Sequence, residues 1–219
     1  MLKKETLLFF KEIEQNNNKP WFEKNKSKYE AAKEDYLKFI DELLPEIRKI
    51  EPIYEKELKK YAGRIYRDIR FSKDKSPYKN FISSLIERAP EYKKCPFYIH
   101  IQPGNNSFIG GGVWQPEPDL LSKIRQEIDY NGSDLNKIIK KKSFLDLFGE
   151  LRGDTLVRPP KGYTPDNPYI ELLKLKQYLV HRSFDDAMVC SKDFVKELCI
   201  SYREALPFLH FLDVVKSEL

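Results

Sequence analysis

The apolar positions of the chain follow a helical period at both ends and a strand period in the middle. Leu7, Phe10 and Ile13 lie at helix spacing and predict a helix over residues 2–15. "NNNKP" at 16–20 then breaks the chain, and Pro20 suits a helix start, where its missing N–H would be an orphan anyway. Tyr29, Tyr36, Ile40, Leu43, Ile47 and Ile50 mark one stripe of a long helix. Pro45 should kink or end that helix, because it removes an internal hydrogen bond, and "EP" at 51–52 closes the segment.

The middle of the chain reads as strands. "RIYRDIRF" (64–71), "FISSLIER" (81–88), "PFYIHIQ" (96–102) and "SFIGGGVW" (107–114) are short runs rich in β-branched and aromatic residues. "PGNN" at 103–106 is a hairpin turn, so the runs predict an antiparallel meander. "QPEPDLLSKIRQEI" restarts a helix, with Glu117 and Asp119 in its first turn, and "NGSDLNKII" begins another with Ser133 as N-cap. "VRPPKGYTPDNP" is a proline-rich loop, "KQYLVHRSF" adds a strand, and residues 192–213 form a last helix ending near Pro207 or beyond. Helices, then strands, then helices predict an α+β fold. Its mainly antiparallel sheet of four to five strands is packed by N-terminal and C-terminal helices.

Composition narrows the class. The 219 residues are 41% hydrophobic, 33% charged and 13% aromatic, which fits a globular chain with a large core rather than a disordered one. The N-terminal apolar run, Leu7 to Phe10, is far too short for a signal peptide, and no stretch approaches a membrane span. Cys95, Cys190 and Cys199 show neither CxxC nor disulfide spacing, and no His-x-x-x-His is present. The expectation is a cytoplasmic protein with free thiols, no metal, no cofactor and no membrane partner.

Charge changes the picture more. The net charge is +5, but residues 56–94 hold twelve Lys and Arg against five Asp and Glu, so the rest of the chain is slightly acidic. The densest part is "RIYRDIRFSKDKSPYKNF" at 64–81, with six basic residues, two aspartates and four aromatics. In a strand, Arg64, Tyr66, Asp68 and Arg70 share one face, and Ile65, Arg67, Ile69 and Phe71 the other. Arg67 then sits in an apolar row and needs a carboxylate, carbonyls or a bound anion; the expectation is a structural Arg67 paired with a buried carboxylate and a ligand-facing Arg70. In a helix the same stretch would give a stripe of Arg64, Arg67 and Arg70; Gly63 and the neighbouring β-like runs favour the strand.

"FSKDKSPYK" reads as a loop that holds Lys73, Lys75 and Lys79 beside Arg70. Guanidinium forks and ammonium groups together suit a phosphate or carboxylate. The competing reading is a loop pinned by Asp74 to a lysine, with Arg67 and Arg70 in structural ion pairs.

Elsewhere the chemistry is sparse. "GGG" at 110–112 permits close approach of a ligand or another chain segment, but it is not a phosphate loop. His100 shares a face with Tyr98 and Gln102 and is either a general acid–base or a satisfied sheet histidine. His181 carries the same ambiguity, Trp21 and Trp114 read as core or groove walls, and no serine has a nucleophile-elbow context.

"NNNKPWFEKNKSKYE", "RIYRDIRFSKDKSPYK", "GGGVWQPEP", "IRQEI" and "RPPKGY" with "ELLKLK", in this order, resemble the bacterial and fungal family called domain of unknown function 2461. The resemblance covers nearly the whole chain and implies a single domain over residues 1–219. It supplies no catalytic residue.

Three functional readings follow. The first is a binding or enzyme domain for a small anionic, for example phosphorylated, ligand. Arg67, Arg70, Lys73, Lys75 and Lys79 would hold it, and Tyr66, Asp68, Tyr78 and His100 are its polar or acid–base candidates. The second is a structural or protein-interaction domain with the arginines in internal ion pairs. The third is a nucleic-acid module in which Tyr61, Tyr66, Phe71, Tyr78 and Phe81 stack on bases. It ranks last because +5 is modest for such a partner.

Overall fold

A computed structural model describes residues 1–70, 73–89 and 95–216, with side chains described as far as residue 213. Among these residues the fold is α+β. Eight helices accompany one antiparallel sheet whose strands β1 (Ile82–Ile86), β2 (Phe97–Ile101), β3 (Ser107–Val113) and β4 (Tyr178–Phe184) lie in sequence order.

The N-terminal helices are α1 (Lys4–Gln15), α2 (Lys19–Lys24) and α3 (Lys26–Arg48). No side chain of its own caps α1. The buried Asp35 of α3 does this instead, accepting the Lys3 N–H at 2.9 Å and the Thr6 hydroxyl at 2.6 Å. Helix α2 starts where Pro20 predicts a helix but ends at Lys24, before α3; the Asn18 side chain accepts the Trp21 N–H at 3.0 Å and Pro20 follows in the first turn. Pro45 does not end α3, which continues to Arg48, because Leu43, Leu44 and Ile47 of that turn are all buried.

The four strands bury alternate residues. Ile82 and Ile86, Phe97, Ile99 and Ile101, Ile109 and Val113, and Tyr178, Val180 and Phe184 all belong to the core. The triple glycine of β3 is explained by close backbone approach of another segment. A Cβ on Gly112, whose φ is +126°, would lie 2.0 Å from the Tyr178 carbonyl oxygen.

Between β3 and β4 run α4 (Pro118–Ile139), α5 (Lys142–Phe148) and α6 (Ile170–Leu173). The two helices expected at 115–139 form one element broken at Asn131 (φ −121°, ψ 21°), two residues before the expected cap at Ser133. After β4 come α7 (Asp186–Val189) and α8 (Phe194–Lys216), which passes through Pro207.

The residues gather in two compact units. The first comprises 1–86, 98–109 and 183–200, and its core includes Phe10, Ile13, Tyr36, Ile40 and Phe39, the last stacked on Phe194 at 5.3 Å. The second comprises 87–97, 110–182 and 201–219. Its core carries the edge-on pair Phe97–Tyr202 at 4.9 Å and the fully buried ion pair Arg88–Asp213. The cysteines are free, and no helix among the described residues is long and apolar enough to cross a membrane.

Candidate functional site

Residues 64–70 are not a strand of the sheet, contrary to the alternation in the sequence. They form one arm of a minimal hairpin. Arg67 N–H donates to Pro77 O at 3.0 Å, Lys79 N–H donates to Ile65 O at 2.7 Å, and Tyr66 and Tyr78 face each other in a single antiparallel bridge. Pairing stops there because the loop's polar side chains take up backbone groups. Asp68 accepts the Arg70 N–H at 3.3 Å, Asp74 accepts the Ser76 N–H at 2.9 Å and its hydroxyl at 2.6 Å, and Lys75 Nζ donates to Ile69 O at 2.8 Å. Phe71, placed in the apolar row, lies outside the described residues, as does Ser72.

Arg67 is paired with a carboxylate and a carbonyl, as its apolar row requires, but the carboxylate is not the buried one expected. Its guanidinium bonds Asp74, the Tyr78 carbonyl (2.9 Å) and the Asn80 side chain (3.3 Å). The side chain is 27% exposed and that of Asp74 is 53% exposed, so the partner is a surface carboxylate rather than a buried one. Asp74 is pinned to Arg67 and Ser76 rather than to a lysine. Its own bonds to Ser76, and then the Arg67 charge, hold its carboxyl below the usual range. Arg70 grips Asp68 with two nitrogens, at 2.9 and 2.6 Å, which lowers the Asp68 carboxyl. That pair is well exposed.

The hairpin is held from outside by a residue to which the sequence assigned no role. Asn17 accepts the Tyr78 N–H at 3.0 Å and donates to the Tyr78 carbonyl at 2.8 Å, imitating a backbone partner. Asn80 adds a bond to Glu14 at 3.2 Å. The Tyr78 ring is buried and stacked on Phe22 at 4.1 Å, and burial pushes its hydroxyl upward. The "NNNKPWF" and "SPYKN" segments are therefore two sides of one packed junction.

Arg64, Tyr66, Arg67, Asp68, Ile69 and Arg70 line an open groove of about 360 Å³. Lys73 is exposed, and the Lys75 ammonium is directed to the backbone. Lys79 differs: it is partly buried, its ammonium lies 5.5 Å from the Phe81 ring centroid, and its pKa is lowered by burial and then by the charges of Arg64 and Arg67. Among the described residues, neither Arg64 nor Lys79 forms an ion pair, although the Arg64 charge reaches Asp68 and helps to lower its carboxyl. Arg64 is not among the site residues expected from the sequence, where its signal is the same-face register with Tyr66.

His100 lies close enough to Lys79 to feel its charge. Its ring is buried between Phe81 (4.2 Å) and Phe108 (4.6 Å). Nε2 lies 2.8 Å from Gln102 Oε1, which can only accept, so Nε2 carries the proton and Nδ1 accepts the Tyr98 hydroxyl at 3.1 Å. Burial lowers its pKa and favours this neutral form. With both nitrogens and both ring faces occupied, His100 is arranged as a supporting side chain of the sheet.

Of the rings expected to stack on bases, Tyr61 and Tyr78 are buried, Phe81 is half-buried, and Tyr66 is 59% exposed. No three His, Cys, Asp or Glu side chains gather as metal ligands would among the described residues. The chain matches, over residues 5–211, the family described as conserved hypothetical protein (DUF2461). No curated protein and no solved structure matches it.

Proposed function

The chain belongs to the DUF2461 family, and we propose that it binds a small anionic ligand, for example a phosphorylated one, in the groove at residues 64–70. Arg64 and Lys79 are the principal cationic contacts in this reading, Arg67 fixes the groove wall, and Arg70 and Lys73 add exchangeable charge. The observation that carries it is the crowding of positive charge around Lys79. This lysine is partly desolvated and stands in the field of two guanidiniums, and neither it nor Arg64 forms an ion pair among the described residues, where Asp68 and Asp74 are bonded to Arg70 and Arg67. A bound anion would relieve that repulsion. It would also gain charge-assisted hydrogen bonds from a planar fork and a point charge. Three free thiols suit placement of the protein in the reducing cytoplasm.

The experiment is thermal unfolding at constant ionic strength, with inorganic phosphate exchanged for chloride. Phosphate should raise the midpoint of the wild type through linkage, and Arg64→Ala and Lys79→Met should each lose most of that rise. An equal response of all three proteins would count against the site.

A structural or interaction domain is the second reading. It is favoured by a specific observation: Arg67 and Arg70 each already hold a carboxylate, Asp74 and Asp68. Under that reading, phosphate raises no midpoint beyond the chloride control.

A further inference from the structure

One ring in the groove is open where its neighbours are covered. Tyr66 keeps 59% of its surface exposed, yet it is fixed from behind. Its backbone bridges Tyr78, and its ring centroid lies 5.4 Å from that of Tyr78 and 6.4 Å from that of Phe22. Phe22 and Tyr78 are themselves stacked, and Phe22 continues to Tyr29 at 5.5 Å. Tyr66 is thus the solvent-facing end of a pile of rings anchored in the core. Ile69, also exposed, lines the same groove. An aromatic face backed by other rings and set beside guanidiniums is a stacking platform that needs little ordering when a ligand arrives. The groove's volume of about 360 Å³ lies in the range of small-molecule sites and is more than a bare phosphate fills.

We infer that the anion bound here carries an aromatic ring: an aromatic phosphate, stacked on Tyr66 with its phosphate held by Arg64. This rests on the anion-binding reading above and assigns the chemical class of its ligand. Lys79 would complete the charge balance, and Ile69 would cover the edge of the ligand ring.

The test is calorimetric titration with phenyl phosphate and, separately, inorganic phosphate. The wild type should bind phenyl phosphate about tenfold more tightly, which is at the low end of what ring stacking contributes. Tyr66→Ala should bring the ratio of the two affinities close to one, and Tyr66→Phe should preserve it. Because Tyr66 is exposed, both variants should unfold cooperatively like the wild type, which a thermal scan checks. Equal affinities of the two anions for the wild type, or a preference that survives in Tyr66→Ala, would overturn the aromatic assignment while leaving anion binding intact. Binding of neither anion would overturn both. If a single-stranded octathymidylate binds ten times more tightly than phenyl phosphate, the site belongs to nucleic acid and the small-ligand assignment fails.

Discussion

Two arginine–aspartate pairs in this protein should respond very differently to the same substitution. In the second unit, the side chains of Arg88 and Asp213 are 0% and 2% exposed, and the second Asp213 oxygen accepts the Cys95 N–H at 3.2 Å. Asp213→Ala removes the carboxylate bonded to a fully buried guanidinium and the oxygen that accepts the Cys95 N–H. Breaking one side of such a pair costs about 3–5 kcal/mol, and the lost amide bond adds about 1 kcal/mol. Arg67→Ala also removes an arginine–aspartate contact, but Asp74 is exposed and returns to water. The Tyr78 carbonyl keeps Asn17 as a donor. The loss there should be only about 1–2 kcal/mol. The assay is urea unfolding followed by tryptophan fluorescence, at constant slope. A double variant, Arg88→Met with Asp213→Leu, should recover most of the loss of Asp213→Ala, since hydrophobic replacement of a buried pair is often neutral. If Asp213→Ala is no more damaging than Arg67→Ala, or the double variant is as unstable as the single, the reasoning from burial is wrong.

Three further outcomes are expected. Gly112→Ala should destabilise by about 3 kcal/mol or more in the same unfolding assay, because the new Cβ meets the Tyr178 carbonyl oxygen at 2.0 Å and φ is +126°. Asn17→Ala strands the Tyr78 N–H and should cost about 1–3 kcal/mol, with proteolysis between residues 64 and 80 faster than in the wild type. His100 has a folded pKa below its ordinary 6.5, so the unfolded chain binds the extra proton first. Its contribution to stability is therefore complete above pH 6.5 and is lost as pH falls toward the folded value. Stability curves of the wild type and His100→Gln should converge on acidification through this window, and parallel curves would refute the assignment.

The four strands of the sheet were readable because alternation there coincides with burial. Ile99 and Ile101 face the core, and the intervening His100 belongs to the other side. Residues 64–70 carry the same alternation and composition but make one bridge only. What periodicity does not encode is that Asp68 and Asp74 bond their own backbone more readily than they allow a ladder to extend. The partnership of Arg67 with a carboxylate was legible from its placement among apolar residues, but the exposure of that partner was not. Asn17 was invisible as a site residue because its bonds to Tyr78 span 61 positions, and no local pattern records such a pairing. Helix α2 has only six residues, too few for a period, although Asn18 and Pro20 carry its start signal. Burial of Leu43, Leu44 and Ile47 outweighs the break expected at Pro45.

In the proposed function, Arg64 and Lys79 together hold the anion. Titrating phosphate into the wild type and into the double variant Arg64→Ala, Lys79→Met by calorimetry, at two salt concentrations, tests it most directly. Saturable binding at one site is expected for the wild type, weaker at the higher salt as exposed charges are screened, and none for the double variant. Heats that do not saturate, or identical isotherms for the two proteins, would contradict it.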